Sequence, residues 1–375
     1  MKRRLLIFFL VLLRLPVMAQ EPRTKNVILI TLDGFRWQEL FQGADSFILS
    51  NEKFVKDSGV VDQFWDSSVA VRREKLMPFV WKVIGSQGQL YGNRTYGNQV
   101  NCSNPFWFSC PGYSEMLVGY VDLRINTNKS VSPNPTVLEF ISQQQGYQDS
   151  VAVFSSWEGI SFITRPLKSQ IQLNAGRTMA SGKISDSEKV LNELQQVMSR
   201  RGPRHDALTF QYAFEYLKRA RPRVVYLSFN ETDSYGHKGK YDDYLTAAYK
   251  NDEMIRKLWE WIQSQEDYRD QTTLLITTDH GRGKGRHAWQ RHGRATPGSG
   301  QTWMAVVGPD TPPSGEMKEK AQYFQKQVAG TLAAFLGFDY ATDKQHIGQI
   351  LHSMIQSGML SDNIAAGQNV SNAHK

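Results

Sequence analysis

An α/β fold with a mostly parallel central sheet and helices on both faces is predicted by three observations. Five short runs are almost continuously apolar: Asn26–Thr31, Ser150–Phe154, Arg223–Phe229, Thr272–Thr277 and Trp303–Val307. Strands buried on both faces read this way, because neither face of the sheet meets water. Segments with helical patterning lie between them, and such alternation is the mark of strands joined by helical crossovers. Acidic and histidine side chains then gather just past the ends of these runs, where open parallel sheets bind their ligands.

The chain begins Met1-Lys-Arg-Arg, follows with an apolar run from Leu5 to Leu13, and reaches Pro16-Val-Met-Ala-Gln20. A basic start, a short apolar stretch and small residues before a break make residues 1–20 a secretory signal peptide. Nine apolar residues fall short of the ~20 that span a bilayer. No second stretch is long enough, so no membrane span is expected once the signal is removed. The expectation is an exported protein, periplasmic or secreted. The Asn-x-Ser/Thr triplet at Asn230 sits among candidate ligands where a glycan would obstruct them, which favours a bacterial source.

A single hydrolytic domain is expected over residues 21–361, with an insertion around 44–104 and a polar tail over 362–375. The insertion is rich in Gly, Asn, Trp and Tyr and reads as loops rather than sheet. Helices are expected at Thr136–Gln145, Ser187–Arg200, Ala207–Arg219, Tyr244–Gln265 and Ala321–Phe335. The 375 residues are 40% hydrophobic and 21% charged, which excludes a disordered or fibrous chain. The formal charge of +8 includes Lys2, Arg3, Arg4 and Arg14; without them Lys+Arg falls from 44 to 40 against 36 acids. A mature balance of +4 gives no reason to expect nucleic acid as a partner. Composition leaves the oligomeric state open. Cys102 and Cys110 are compatible with a disulfide across a short loop or with two buried thiols.

The first run ends in Asp33-Gly34, the third leads into Asn230-Glu-Thr-Asp233-Ser-Tyr-Gly-His237, and the fourth into Thr278-Asp279-His280-Gly281. His292-Gly293 precedes the fifth. Taken singly, such an Asp is commonly a cap or turn former and such a His a structural residue. Together, three aspartates and three neutral histidines supply enough ligands for two divalent ions, with Zn the best chemical match. Ser109, before Pro111-Gly112 and a helical run, falls at a helix N-terminus where backbone N–H groups favour anions.

In this ordered set (Asp-Gly, Ser-x-Pro, Asp-x-x-x-His, Asp-His-Gly and a late His-Gly) the chain resembles the alkaline phosphatase superfamily, most of all its type I phosphodiesterase/nucleotide pyrophosphatase branch. The resemblance runs from Asn26 to about Asp310. It implies that Asp33, Ser109, Asp279 and His280 hold one metal ion, that Asp233, His237 and His292 hold the other, and that Ser109 is the nucleophile. It further implies an asparagine on the substrate phosphate, best matched by Asn126, with Asn128 second. The reaction implied is in-line attack on a small-molecule phosphate ester. Metal coordination lowers the pKa of the serine hydroxyl, and a phosphoserine intermediate is then hydrolysed by water.

Some features depart from parts of the superfamily. Tyr113 stands where the sulfatase signature needs arginine, and Val151–Glu158 lacks the Lys-x-Arg pair with which some monoesterases grip a terminal phosphate. The first argues against a modified sulfatase nucleophile, and the second leans toward diesters or bulky phosphonate-like esters, although Arg282, Lys284, Arg286 or Arg294 could replace that pair. A monoesterase or sulfatase-like hydrolase of the same superfamily is the alternative reading. From another class there is an inactive metal-binding surface protein, which would be expected to lack some ligands. The aromatic residues Phe64, Trp65, Trp81, Phe106, Trp107 and Phe108 suit either a stacking surface or core. His287 reads as a surface or substrate-facing residue rather than a ligand.

Overall fold

The computed structural model describes residues 22–164, 171–198, 202–341 and 347–356. The signal-peptide reading of residues 1–20 and the polar tail lie outside them. Among the described residues no helix is long and apolar enough to cross a membrane.

Among the described residues eleven strands form in chain order: β1 Asn26–Leu32, β2 Gln89–Tyr91, β3 Asn98–Asn101, β4 Val151–Ser155, β5 Gln172–Ala175, β6 Val224–Phe229, β7 Thr272–Thr277, β8 Gln301–Thr302, β9 Met304–Val307, β10 Gly315–Glu316 and β11 Ala321–Phe324. Eight make the main sheet, ordered β10-β2-β9-β7-β1-β6-β4-β5, while β11-β3-β8 form a small second sheet. From β7 to β5 all five strands run parallel. β9 runs against both β7 and β2. This single reversal matters for the site. A residue just before β9 falls at the same end of the sheet as residues just after β1, β6 and β7.

Period-2 alternation sends each central strand into two cores. From β1, Ile28, Ile30 and Leu32 enter one core, built with the helices Asp206–Ala220 and Tyr241–Ser264. Val27 and Leu29 enter the other, built with the helices Ser109–Val118 and Gln327–Phe335. All seven β1 residues are buried, and each large apolar side chain contributes about 1.5–3 kcal/mol by leaving water. The five expected apolar runs are all strands, and the α/β sheet flanked by helices is as predicted.

Two expectations change. The stretch 44–104 is not a set of loops: it holds the helices Ser46–Leu49, Gly59–Phe64 and Val69–Leu76, and β2 enters the main sheet. Part of its aromatic and apolar content is core, with Phe54, Phe64, Phe79, Val80 and Trp81 all buried in the first cluster, while Phe47, Val69, Val71 and Tyr96 are exposed. The expected helix Ala321–Phe335 begins only at Gln327. Residues Ala321–Phe324 pair with β3 as β11, and the Phe324 N–H donates to Gln327 Oε1 where strand gives way to helix.

Candidate metal centre and nucleophile

Two groups of side chains converge at the carboxyl end of the parallel strands: Asp33, Asp279 and His280 in one, Asp233, His237 and His292 in the other. Asp33 follows β1 and the pair Asp279–His280 follows β7, while Asp233 and His237 lie one turn apart on the helix Glu231–Lys238 that follows β6. Each i, i+4 pair on a helix shares a face. His292 arrives from the loop before β8 and β9, as the reversed strand requires.

Asp33, Asp279 and His280 are completely buried. His280 Nδ1 lies 2.8 Å from the Gly281 carbonyl, which can only accept. Nδ1 therefore carries the proton and Nε2 is left as a lone pair. That lone pair faces Asp33 Oδ1, Asp279 Oδ2 and Ser109 Oγ, each at 3.4 Å. Both carboxylate oxygens are buried without a hydrogen-bond partner. Buried polar atoms are nearly always paired, so two unpaired carboxylate oxygens beside a histidine lone pair fit a divalent cation. Burial, reinforced for Asp33 by Asp279 and Asp233, raises both carboxyls well above their ordinary range. Burial also pushes His280 down to about 4, which keeps it neutral at pH 7.

The remaining oxygens of this group are held by neutral donors. Tyr113 Oη donates to Asp33 Oδ2 at 3.0 Å and Asn230 Nδ2 at 2.9 Å, while the Gly34 N–H donates to Asp279 Oδ1 at 3.1 Å. Tyr113 therefore does more than replace an arginine, since it orients the first aspartate.

In the second group, Asp233 Oδ2 lies 3.3 Å from His237 Nε2, and Oδ1 lies 3.5 Å from His292 Nε2; the two Nε2 atoms are 2.9 Å apart. Burial opposes ionisation of Asp233, but Arg282 together with the two histidines outweighs it and holds the carboxyl well below its usual range. Burial lowers His292 to about 2, so it too is a neutral donor. The groups adjoin, with the His280 and His292 rings stacked at 4.0 Å between centroids. Gly34 fits between them at φ +60°. A Cβ there would lie 3.0 Å from Asp233 Oδ1 and 3.2 Å from His280 Cε1, so a side chain would intrude on both.

Arg282, considered on sequence as a substrate grip, is committed elsewhere. Its guanidinium is buried on Asp233 and on the Trp289 and Gln290 carbonyls. His287 is exposed and meets Phe54 edge-on, away from the ligand groups.

Ser109 opens the helix Ser109–Val118, with Phe108 as N-cap. The helix comes so close to Asp279 that a Cβ at Gly112 would fall 2.3 Å from its carbonyl oxygen. Before it, Trp107 adopts φ 55°, an unusual state for a bulky residue. Asn104 Oδ1 fixes that turn by accepting from the Phe106 and Trp107 N–H groups, and buried Glu115 in turn accepts from Asn104 and Ser103. Both cysteines are buried and free: Cys102 Sγ donates to the Asp279 carbonyl and Cys110 Sγ to that of Ser130. The open question of a disulfide is thus answered in favour of thiols.

Asn126 is exposed, and its N–H donates to Ser130 Oγ in a local turn. Asn128 reaches the helix that Ser109 opens, accepting from the Cys110 N–H at 3.1 Å. Sequence reasoning missed the contact of Tyr113 with Asp33, the parts played by Asn104 and Glu115, and the structural part of Asn230. Only the last carried a signal, since it immediately precedes the Asp233 helix.

A model of the sulfatase family matches residues 105–338, more than half of the chain. The chain belongs to the sulfatase family. Among curated proteins none matches its sequence. Of solved structures, wild-type alkaline phosphatase PafA superposes with a TM-score of 0.56 at 9% identity, covering 90% of this chain and 99% of that one. Murine ectonucleotide pyrophosphatase/phosphodiesterase 5, an inactive variant in complex with AMP, gives 0.52 at 12%, covering 88% and 100%. The lipoteichoic acid synthase LtaP from Listeria monocytogenes gives 0.52 at 12%, covering 92% and 77%. At these identities the likeness is one of fold, and it is the fold of the alkaline phosphatase superfamily. Members of this superfamily are hydrolases that use divalent metals, and this chain carries candidate ligand groups for them.

Proposed function

We propose that this chain is an exported, metal-dependent phosphoric ester hydrolase acting on diesters in the manner of a phosphodiesterase/nucleotide pyrophosphatase, with its hydrolytic domain over residues 21–361. One observation carries the reading: Ser109 Oγ, the His280 Nε2 lone pair and two unpartnered carboxylate oxygens face one point at the helix N-terminus. Asp33, Ser109, Asp279 and His280 would hold one ion and Asp233, His237 and His292 the other, both most suitably Zn. Bound divalent ions supply positive charge to the ester oxygens and favour ionisation of the serine hydroxyl. Ser109 then attacks phosphorus, one alkoxide leaves from the opposite side and takes up a proton, and water cleaves the resulting seryl phosphodiester to release the phosphate monoester and restore the serine. Asn128, which already touches the first turn of the nucleophile helix, is better placed than Asn126 to meet a nonbridging oxygen.

The family match favours a second reading, sulfate ester hydrolysis. Tyr113 weighs against it, because it occupies the arginine position of that signature and is engaged with Asp33. Release of nitrophenol from bis-(4-nitrophenyl) phosphate, 4-nitrophenyl phosphate and 4-nitrophenyl sulfate separates the readings. Diester turnover should dominate, vanish on chelation and return with Zn. Faster sulfate or monoester turnover would overturn the diester assignment, and no turnover of any ester would favour a protein that only binds metal.

A further inference from the structure

We propose that the loop carrying His292 forms a second anion subsite, so that the preferred ester bears a negatively charged group beyond the scissile one. This rests on the reading of the site as an ester hydrolase and names its substrate class. Between Asp279 and Asp310 the chain has no acidic residue, yet it carries Arg282, Lys284, Arg291 and Arg294 among its cations. Arg282 is buried on Asp233 and so belongs to the ligand groups. Lys284, Arg291 and Arg294 are exposed, and among the described residues none of them has an ion-pair partner.

Their placement is fixed by the backbone. Arg291 and Arg294 lie one and two residues from His292, which keeps their Cα atoms within about 7 Å of its own. Lys284 is folded onto the same loop, because the Gly283 N–H donates to the Arg291 carbonyl at 3.0 Å. A Cβ on Gly298 would lie 3.4 Å from Lys284 Cγ. Three cations without an ion-pair partner among the described residues thus sit on the loop that delivers His292, next to a centre in which His237 is half exposed. Like charges gathered around a site repel one another unless an anion joins them, and they attract an anionic ligand within a Debye length of ~8–10 Å. The scissile phosphoryl group is already served by the ligand groups and the helix N-terminus, which leaves these cations for a separate charge on the substrate.

The test is calorimetric titration of the Zn-loaded full chain with two non-hydrolysable probes, phenylphosphonate and 4-carboxyphenylphosphonate, which differ by one remote carboxylate. The wild-type protein should bind the carboxylated probe at least about tenfold more tightly, and 0.5 M NaCl should reduce that preference. The variant K284Q/R291Q/R294Q should lose the preference while retaining its phenylphosphonate affinity and both ions. Equal affinity for the two probes in the wild type, or a preference that survives the triple substitution, would overturn the subsite. The measurement is independent of turnover. A preference observed in a protein that cleaves no phosphate ester would therefore sustain the subsite while refuting the proposed reaction.

Discussion

Replacing Tyr113 by phenylalanine removes one oxygen from the middle of the site and leaves the ring in place. That ring is fully buried and packs 6.1 Å from Trp157, so the apolar contacts survive. Burial, with Asp279 and Asp33 nearby, raises the phenol well above its ordinary value, and it stays protonated as a donor throughout the working range. Its 3.0 Å bond to Asp33 Oδ2 is one of two holding that oxygen; Asn230 at 2.9 Å supplies the other. A hydrogen bond to a charged group is worth ~1.5–3 kcal/mol. At ~1.4 kcal/mol per decade this corresponds to roughly 10–100-fold in Zn affinity, in line with the usual effect of groups that orient a ligand. Competition against a chromophoric chelator should show one ion weakened by that factor and the other unchanged. Two ions both retained within twofold of wild-type affinity, or weakened equally, would refute the role given to Tyr113.

Ser109→Ala should retain both ions by elemental analysis while turnover falls on the order of 10²-fold or more, because a free water is a poor substitute for a held hydroxyl. His292→Ala should lose about one equivalent of metal and nearly all turnover, whereas His287→Ala, exposed beside Phe54, should keep both ions; metal loss following His287 would reverse the assignment. Buried Asp252 accepts the Phe79 and Val80 N–H groups, and burial pushes its carboxyl up to about 7. A folded pKa above the unfolded ~3.9 means the group favours the fold below pH 4 and progressively less as pH rises to about 7. The metal-loaded protein should therefore lose stability across that window, and denaturant titrations of Asp252→Asn should show a shallower loss.

The sheet was legible because burial on both faces leaves continuous apolar runs, and Asn26–Thr31 or Thr272–Thr277 permit no other reading at that length. The convergence of the candidate groups was legible for a related reason: the polar residues that follow such runs lie together at the ends of the strands. The region 44–104 misled because its helices are short and irregular, and because aromatic residues such as Phe64 and Trp81 serve a core as readily as a binding surface. β2 and β5 were missed since three or four residues with Gln or Asn among them carry no periodic signal. The misplaced start of the last helix followed from treating Ala321–Phe324 by its apolar content alone, when its pairing partner lies more than two hundred residues earlier.

What no pattern could disclose is how the two ligand groups differ. Asp33 and Asp279 are buried among neutral donors, and burial raises both carboxyls, so their ionised forms call for a cation. Asp233 is answered in part by Arg282, and its histidine partner His237 stands half open to solvent. A cation bound at the first group gains from a low-dielectric setting and from two unpartnered carboxylate oxygens; one bound at the second competes with a guanidinium already in contact. The arrangement would therefore hold a cation more firmly beside Ser109 than at the more open second group. That asymmetry comes from Tyr113, Asn230 and Arg282, whose contacts with Asp33 and Asp233 no sequence pattern shows.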